Sequence, residues 1–137
     1  MADATITRNV NFTWNNGYIS VGNAVKTQSL LANASAIRAF SNTQLVGTST
    51  EVVDLLDVST GDQYVIMLTN KQATGYVEVM IERSAAAYTI IGLIYPGESY
   101  GPVRMPAPAA SPYPRLAVKA YTNTCNVEVV CGEAKIA

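Results

Sequence analysis

The sequence predicts an all-β domain, an antiparallel β-sandwich or barrel of jelly-roll-like form, with roughly seven to nine strands and a proline-rich loop. Three observations predict it. Runs rich in β-branched and aromatic residues recur, among them Tyr64-Val-Ile-Met-Leu-Thr-Asn70, Tyr76-Val-Glu-Val-Met-Ile-Glu82 and Tyr88-Thr-Ile-Ile-Gly-Leu-Ile-Tyr-Pro-Gly97. Asn, Gly, Ser and Ala separate such runs at intervals of about ten residues. The 137 residues are 49% hydrophobic and only 14% charged, well under the ~25% usual for soluble domains. That length fits one domain, residues 1–137, with no linker or repeat. A chain so poor in charge is expected to bury part of its surface against other chains.

The first element is a hairpin within residues 1–21. Ile6, Val10, Phe12 and Trp14 share one side of a strand, and Thr5, Thr7, Asn9, Asn11 and Thr13 share the other. Asn15-Asn16-Gly17 supplies the positive φ angles of a tight turn, and Tyr18-Ile-Ser-Val21 returns. Residues 22–49 read as loop-rich. Leu30, Ala34 and Ile37 fall at helical spacing, but Ser, Thr and Asn favour turns, so strand and loop are preferred. Val52-Val-Asp-Leu-Leu-Asp-Val58 is a further strand that opens the core, residues 50–137.

The three tyrosine-led runs then read as consecutive strands of one antiparallel meander. In the first, Tyr64, Ile66 and Leu68 share one face and Val65 and Met67 the other. A strand apolar on both faces belongs between two layers. In the second, Val77, Val79 and Ile81 face inward, leaving Glu78 and Glu82 on a solvated face. Residues 102–114 hold five of the six prolines and no acidic residue. Proline fixes φ and cannot donate to a ladder, so this stretch reads as an extended arm. Pro102, Val103, Met105, Pro106, Pro108 and Tyr113 on the arm, with Trp14, form the expected partner surface. Leu116-Ala-Val-Lys-Ala-Tyr121 and Val127-Glu-Val-Val-Cys131 close the domain.

The chemistry is sparse. The chain has no histidine, which removes the commonest general base and metal ligand. Net charge is -1 with no run of Lys or Arg, so the footprint of a nucleic-acid binder is missing. No apolar segment reaches the ~18 residues of a membrane helix. The amino end lacks the basic start and apolar run of a signal peptide, so a cytoplasmic origin is expected and the sequons at Asn11 and Asn33 carry no meaning. Cys125 and Cys131 would lie ~20 Å apart on one continuous strand, too far for a disulfide, and are expected as buried thiols. Asp54, Asp57 and Asp62 fit no calcium-loop spacing and read as turn and capping residues. Glu78 and Glu82 would be ~13 Å apart, beyond the reach of paired glycosidase carboxylates. No cofactor and no metal is expected, and an enzyme is disfavoured. Eight tyrosines and Trp14 leave a sugar-stacking module as an alternative.

Several segments together carry a resemblance. Val53-Asp-Leu55, Leu68-Thr-Asn70 leading to Tyr76-Val-Glu-Val79, Leu93-Ile-Tyr-Pro-Gly-Glu98, Leu116-Ala-Val-Lys-Ala120 and Val127-Glu-Val-Val130 resemble small virion structural proteins of tailed bacteriophages. The likeness covers about residues 52–133, and the 102–114 insertion departs from it. It implies a capsid decoration (cement) protein in the virion, made in the bacterial cytoplasm. Its implied partners are the major capsid protein and other virion proteins, and its implied state a homotrimer. A tail or neck component, or a carbohydrate-binding β-sandwich, is the alternative.

Overall fold

The computed structural model describes residues 5–15, 20–31, 39–56, 58, 63–108 and 110–133, with side chains described from residue 40 onward. The chain is all-β, with ten strands among these residues. Strands β1 (Thr5–Asn15) and β2 (Ser20–Leu31) form an antiparallel hairpin of their own. Its register runs from Thr5 opposite Leu31 to Asn15 opposite Ser20, with a bulge near Trp14. The hairpin is therefore longer than the residue 1–21 unit expected. The expected turn residues Asn16 and Gly17 lie outside the described residues.

Eight further strands build the sandwich: β3 (Ala39–Val46), β4 (Glu51–Val52), β5 (Tyr64–Asn70), β6 (Val77–Ser84), β7 (Ala87–Ile94), β8 (Ser99–Met105), β9 (Arg115–Ala120) and β10 (Cys125–Glu133). The segment 22–49, expected to be loop-rich, thus holds most of β2 and all of β3. Its Ser, Thr, Asn and Gln have turn propensity, but pairing with β1 and β10 satisfies the backbone and overrides it.

Sheet I has the order β3-β10-β5-β8, and sheet II the order β4-β9-β6-β7. The pairs β3·β10, β4·β9, β5·β8 and β6·β7 are all antiparallel. The chain is therefore one long antiparallel ribbon, folded so that successive pairs alternate between two facing sheets. This is the jelly-roll order. It corrects the expected meander, because β5 pairs with β10 and β8 while β6 and β7 lie in the other sheet. Alternation tells which side chains share a face and says nothing about which strand lies alongside.

The core lies between the sheets. Tyr64, Ile66 and Leu68 from β5 and Val127, Val129 and Cys131 from β10 meet Val77, Val79, Leu116, Val118 and Ala120 of sheet II. Each such Val or Leu side chain contributes ~1.5–3 kcal/mol when removed from water. Val65 is buried on the opposite face of β5 and Met67 is half-buried there, as its two-sided apolar pattern requires.

The crossing between the sheets is held by one side chain. Asn70 ends β5 and is fully buried. Its Nδ2 donates to the carbonyls of Gly75 and Ile94, each at 3.0 Å, and its Oδ1 accepts from the Gln72 amide at 3.0 Å. Its own amide donates to the Glu98 carbonyl, and its carbonyl accepts from Gly97. Both connections, β5 to β6 and β7 to β8, are thereby tied to one residue. The second is a turn closed by Glu98 N–H to Tyr95 C=O at 2.9 Å, with Pro96 and then Gly97 at φ +81°, the Pro-Gly order of a type II turn.

Strand β8 takes in Pro102, Val103 and Met105, three residues expected on the arm. It is an edge strand, where proline is tolerated. Gly101, at φ +98°, sits at the register shift opposite Met67; a Cβ there would lie 2.6 Å from the Ile66 carbonyl.

Asn70→Leu keeps the branched shape and leaves the buried Ile94 carbonyl and the part-buried Gly75 carbonyl without their donor. It is expected to lower unfolding free energy by roughly 3–5 kcal/mol, read from urea denaturation. A loss below about 1 kcal/mol would show that the amide does not hold the crossings.

Candidate functional site

The outer face of sheet II is built by register. On the central strand β6, Glu78, Met80 and Glu82 point outward, away from the core residues Val77 and Val79. Beside them β9 places Lys119, Ala117 and Arg115, and β7 places Leu93, Ile90 and Tyr88. One register step beyond the strand ends, Tyr121, Tyr76 and Tyr95 continue the three rows. Tyr121 stacks on Tyr76 with centroids 4.6 Å apart and planes 15° apart, and Tyr95 meets Tyr76 at 5.3 Å, tilted by 41°. The Tyr121 amide bonds to the Tyr76 carbonyl, which fixes the stack.

Met80 and Ala117 at the centre of this face are buried, and its margin along β7 and the tyrosine row is apolar and open. Tyr88, Ile90, Ile91, Leu93, Tyr95 and Tyr121 are all exposed. Ile91 is the extra residue of a β-bulge, since Met80 faces Ile90 while Val79 faces Gly92. The sequence reading missed these positions. A run apolar on both faces looks like a buried strand, and Tyr88-Thr-Ile-Ile-Gly-Leu-Ile has that look although β7 is an edge.

Glu82 corrects another expectation. It was placed on a solvated face with Glu78, but its side chain is buried. The Arg115 Nε donates to its Oε2 at 2.8 Å, and the Ala86 amide donates to its Oε1 at 3.1 Å. Arg115 faces Glu82 directly across β6 and β9, and the β6–β7 turn closes over the pair. The guanidinium holds the carboxyl below its usual value against the opposing effect of burial, with help from Ala86 and Tyr88. The guanidinium also lies over the Tyr113 ring, 5.0 Å from its centroid.

The expected arm surface is divided by the fold. Met105 is buried and Val103 packs against the core. Pro102 and Tyr113 are half-buried. Pro106 and Pro108 join Pro112 and Pro114 around a cavity of about 210 Å³, with Val52, Leu55, Tyr64 and Arg115 also lining it. Trp14 lies in β1 opposite Val21, and its side chain is outside the described residues.

The remaining candidates show little reactive chemistry. Cys125 and Cys131 are free, buried thiols on the inner face of β10. Burial raises both, Cys131 up to about 12, so neither is a ready nucleophile. Asp54 is exposed and accepts from the Leu56 amide at 3.0 Å as a turn cap. Asp57 and Asp62 lie outside the described residues. Among the described residues no three His, Cys, Asp or Glu side chains gather as a metal site, and no helix is long and apolar enough to cross a membrane. No family model, curated protein or solved structure matches the chain.

The Glu82 carboxyl has a lower pKa folded than unfolded. Its contribution is present above the unfolded value of ~4.3 and is lost as pH falls through the folded value. Glu82→Gln is expected to be less stable at pH 7 and to lose less stability on acidification over that window. Equal acid dependence in variant and wild type would contradict this.

Proposed function

We propose that this chain is a virion structural protein of a tailed bacteriophage, a decoration (cement) protein that stabilises the major capsid lattice. The observation that carries the reading is the outer face of sheet II, where Tyr88, Ile90, Ile91, Leu93, Tyr95 and Tyr121 stay exposed on a chain without histidine. Exposed apolar area of that extent marks a contact surface. The jelly-roll order supports it as a recurrent architecture of viral capsid domains, although architecture alone does not set function. The likeness at Leu68-Thr-Asn70, Leu93-Ile-Tyr-Pro-Gly-Glu98 and Val127-Glu-Val-Val130 supports the phage assignment.

A cement protein acts by mass action: it binds the assembled shell and so lowers the free energy of that state. Uncharged apolar contacts repeated over a lattice suffice, with Pro106, Pro108, Tyr113 and Trp14 as further contact candidates. The homotrimer implied by the likeness is one closed cluster of this kind. Added to capsids lacking it, the protein is expected to co-sediment and to raise the temperature at which they rupture. Tyr95→Ser with Tyr121→Ser should weaken both effects several-fold. Failure to bind capsids while residing in a tail or neck would move the chain to that part of the particle.

One observation favours a second reading. The row Tyr121, Tyr76 and Tyr95 is an exposed aromatic platform of the sort that stacks on sugar rings, and lectin domains share the architecture. Glycan-array binding abolished by Tyr121→Ala would support it, and a blank array would remove it.

A further inference from the structure

Among the described residues no strand lies on the outer side of β7 in sheet II, and the four edges of the sandwich are not alike. β4 is two residues long. β8 carries Pro102 and Arg104. β3 shows the polar Ser41, Asn42 and Thr43 to solvent. β7, Ala87–Ile94, is eight residues long with neither charge nor proline. Natural sheets blunt edges with charge, proline, short strands or a bulge, because an unprotected one pairs with another strand; β7 has only the bulge.

We infer that β7 pairs antiparallel with β7 of a second copy across a twofold axis, joining the two copies of sheet II into one eight-stranded sheet. The bulge selects this partner. In a regular strand, pairing a residue with one an odd number of positions away would set an outward side chain against an inward one. The extra residue Ile91 reverses the alternation at the middle of β7, so Tyr88 and Leu93 both point outward while Thr89 and Gly92 share the inner side. An axis between Ile90 and Ile91 then sets Tyr88 against the other copy's Leu93, Ile90 against its Ile91, and Thr89 against its Gly92. Faces match at every step. Hydrogen-bonding direction alternates with side-chain direction, so the outward amides and carbonyls match too. Tyr88 with Leu93 is an aromatic–aliphatic cross-strand pair, a stabilising combination.

The seam itself is apolar. Tyr88, Ile90, Ile91 and Leu93 are 40, 56, 39 and 44% exposed. Edge pairing covers the flank of each that faces the neighbouring strand, together with the backbone edge, and leaves the outward face of the joined sheet open for other contacts. A strongly charged partner would find no complement on β7, whereas a second copy finds the same apolar row.

The test is the size of the purified full chain in solution by light scattering at about 100 µM. The wild type is expected as a dimer, in place of the homotrimer that the likeness implies, and Ile90→Lys, which brings two cations to the axis, as a folded monomer with unchanged circular dichroism. Tyr88→Cys with Leu93→Cys is expected to form a covalent dimer on mild oxidation. The native thiols are buried and stay out of that reaction. Tyr88→Cys with Thr89→Cys, out of register, should form at least tenfold less. A wild-type monomer, a trimer that Ile90→Lys leaves intact, or equal crosslinking of both double variants would each overturn the pairing.

Discussion

A buried amide decides how this chain divides between two sheets. Asn70 bonds at once to the end of β5, to the 71–75 crossing through Gly75 and Gln72, and to the end of β7 through Ile94. The Asn70 side chain is itself fully buried and its bond to Ile94 is closed to water, while those to Gly75 and Gln72 are part-buried; in such a site an unmade hydrogen bond costs more than a made one contributes. The two connections are therefore favoured only in the arrangement that satisfies them all. If β6 instead turned back beside β5, the Gly75 and Ile94 carbonyls would lose this donor, and Val77 and Val79 would leave the face they share with Val118. The ribbon order of the whole sandwich follows from that local choice.

The consequence for sheet II is an asymmetric pair of faces. Inward, Val77, Val79, Ile94, Leu116 and Val118 close the core. Outward, the sheet has the part-buried ion pair of Glu82 with Arg115, Glu78 opposite Lys119, then Met80, Ala117 and an apolar margin along β7. Charge pairing across β6 and β9 keeps this face uncharged overall. A flat sheet face with its charges neutralised in place, and its aromatic row stacked in advance, needs little rearrangement before contact with another surface. Reactive groups lie elsewhere and are subdued: both thiols face the core, with their ionisation suppressed by burial.

Much of the architecture was legible in the residues, and the part that was not has a physical reason. The two-sided apolar run Tyr64 to Leu68 identified a buried strand because alternation reports burial directly. Val77 and Val79 were placed correctly inward on the same ground. Glu82 was not, since its burial depends on Arg115, 33 positions away, arriving opposite it on β9. Pairing of that kind has no period to detect. Strand β2 was hidden by composition, as Ser, Thr, Asn and Gln serve a two-stranded ribbon as readily as a loop. The exposure of Ile90 and Leu93 was hidden because an apolar edge and an apolar core strand have the same pattern. Only the sheet order separates them. Tyr95 and Tyr121 each sit just past a strand end, and nothing in either neighbourhood reveals that both flank Tyr76.

With Asn70 bonded to both, the two crossings belong to the cooperative core and are not loose connections over its end. Amide hydrogen exchange under native conditions tests this most directly. The amides of Gln72 and Gly97, which are bonded to Asn70, are expected to exchange with the same opening free energy as those of Val79 and Val129 in the central strands. Exchange of Gln72 and Gly97 through low-energy local opening, while Val79 and Val129 stay protected, would contradict it.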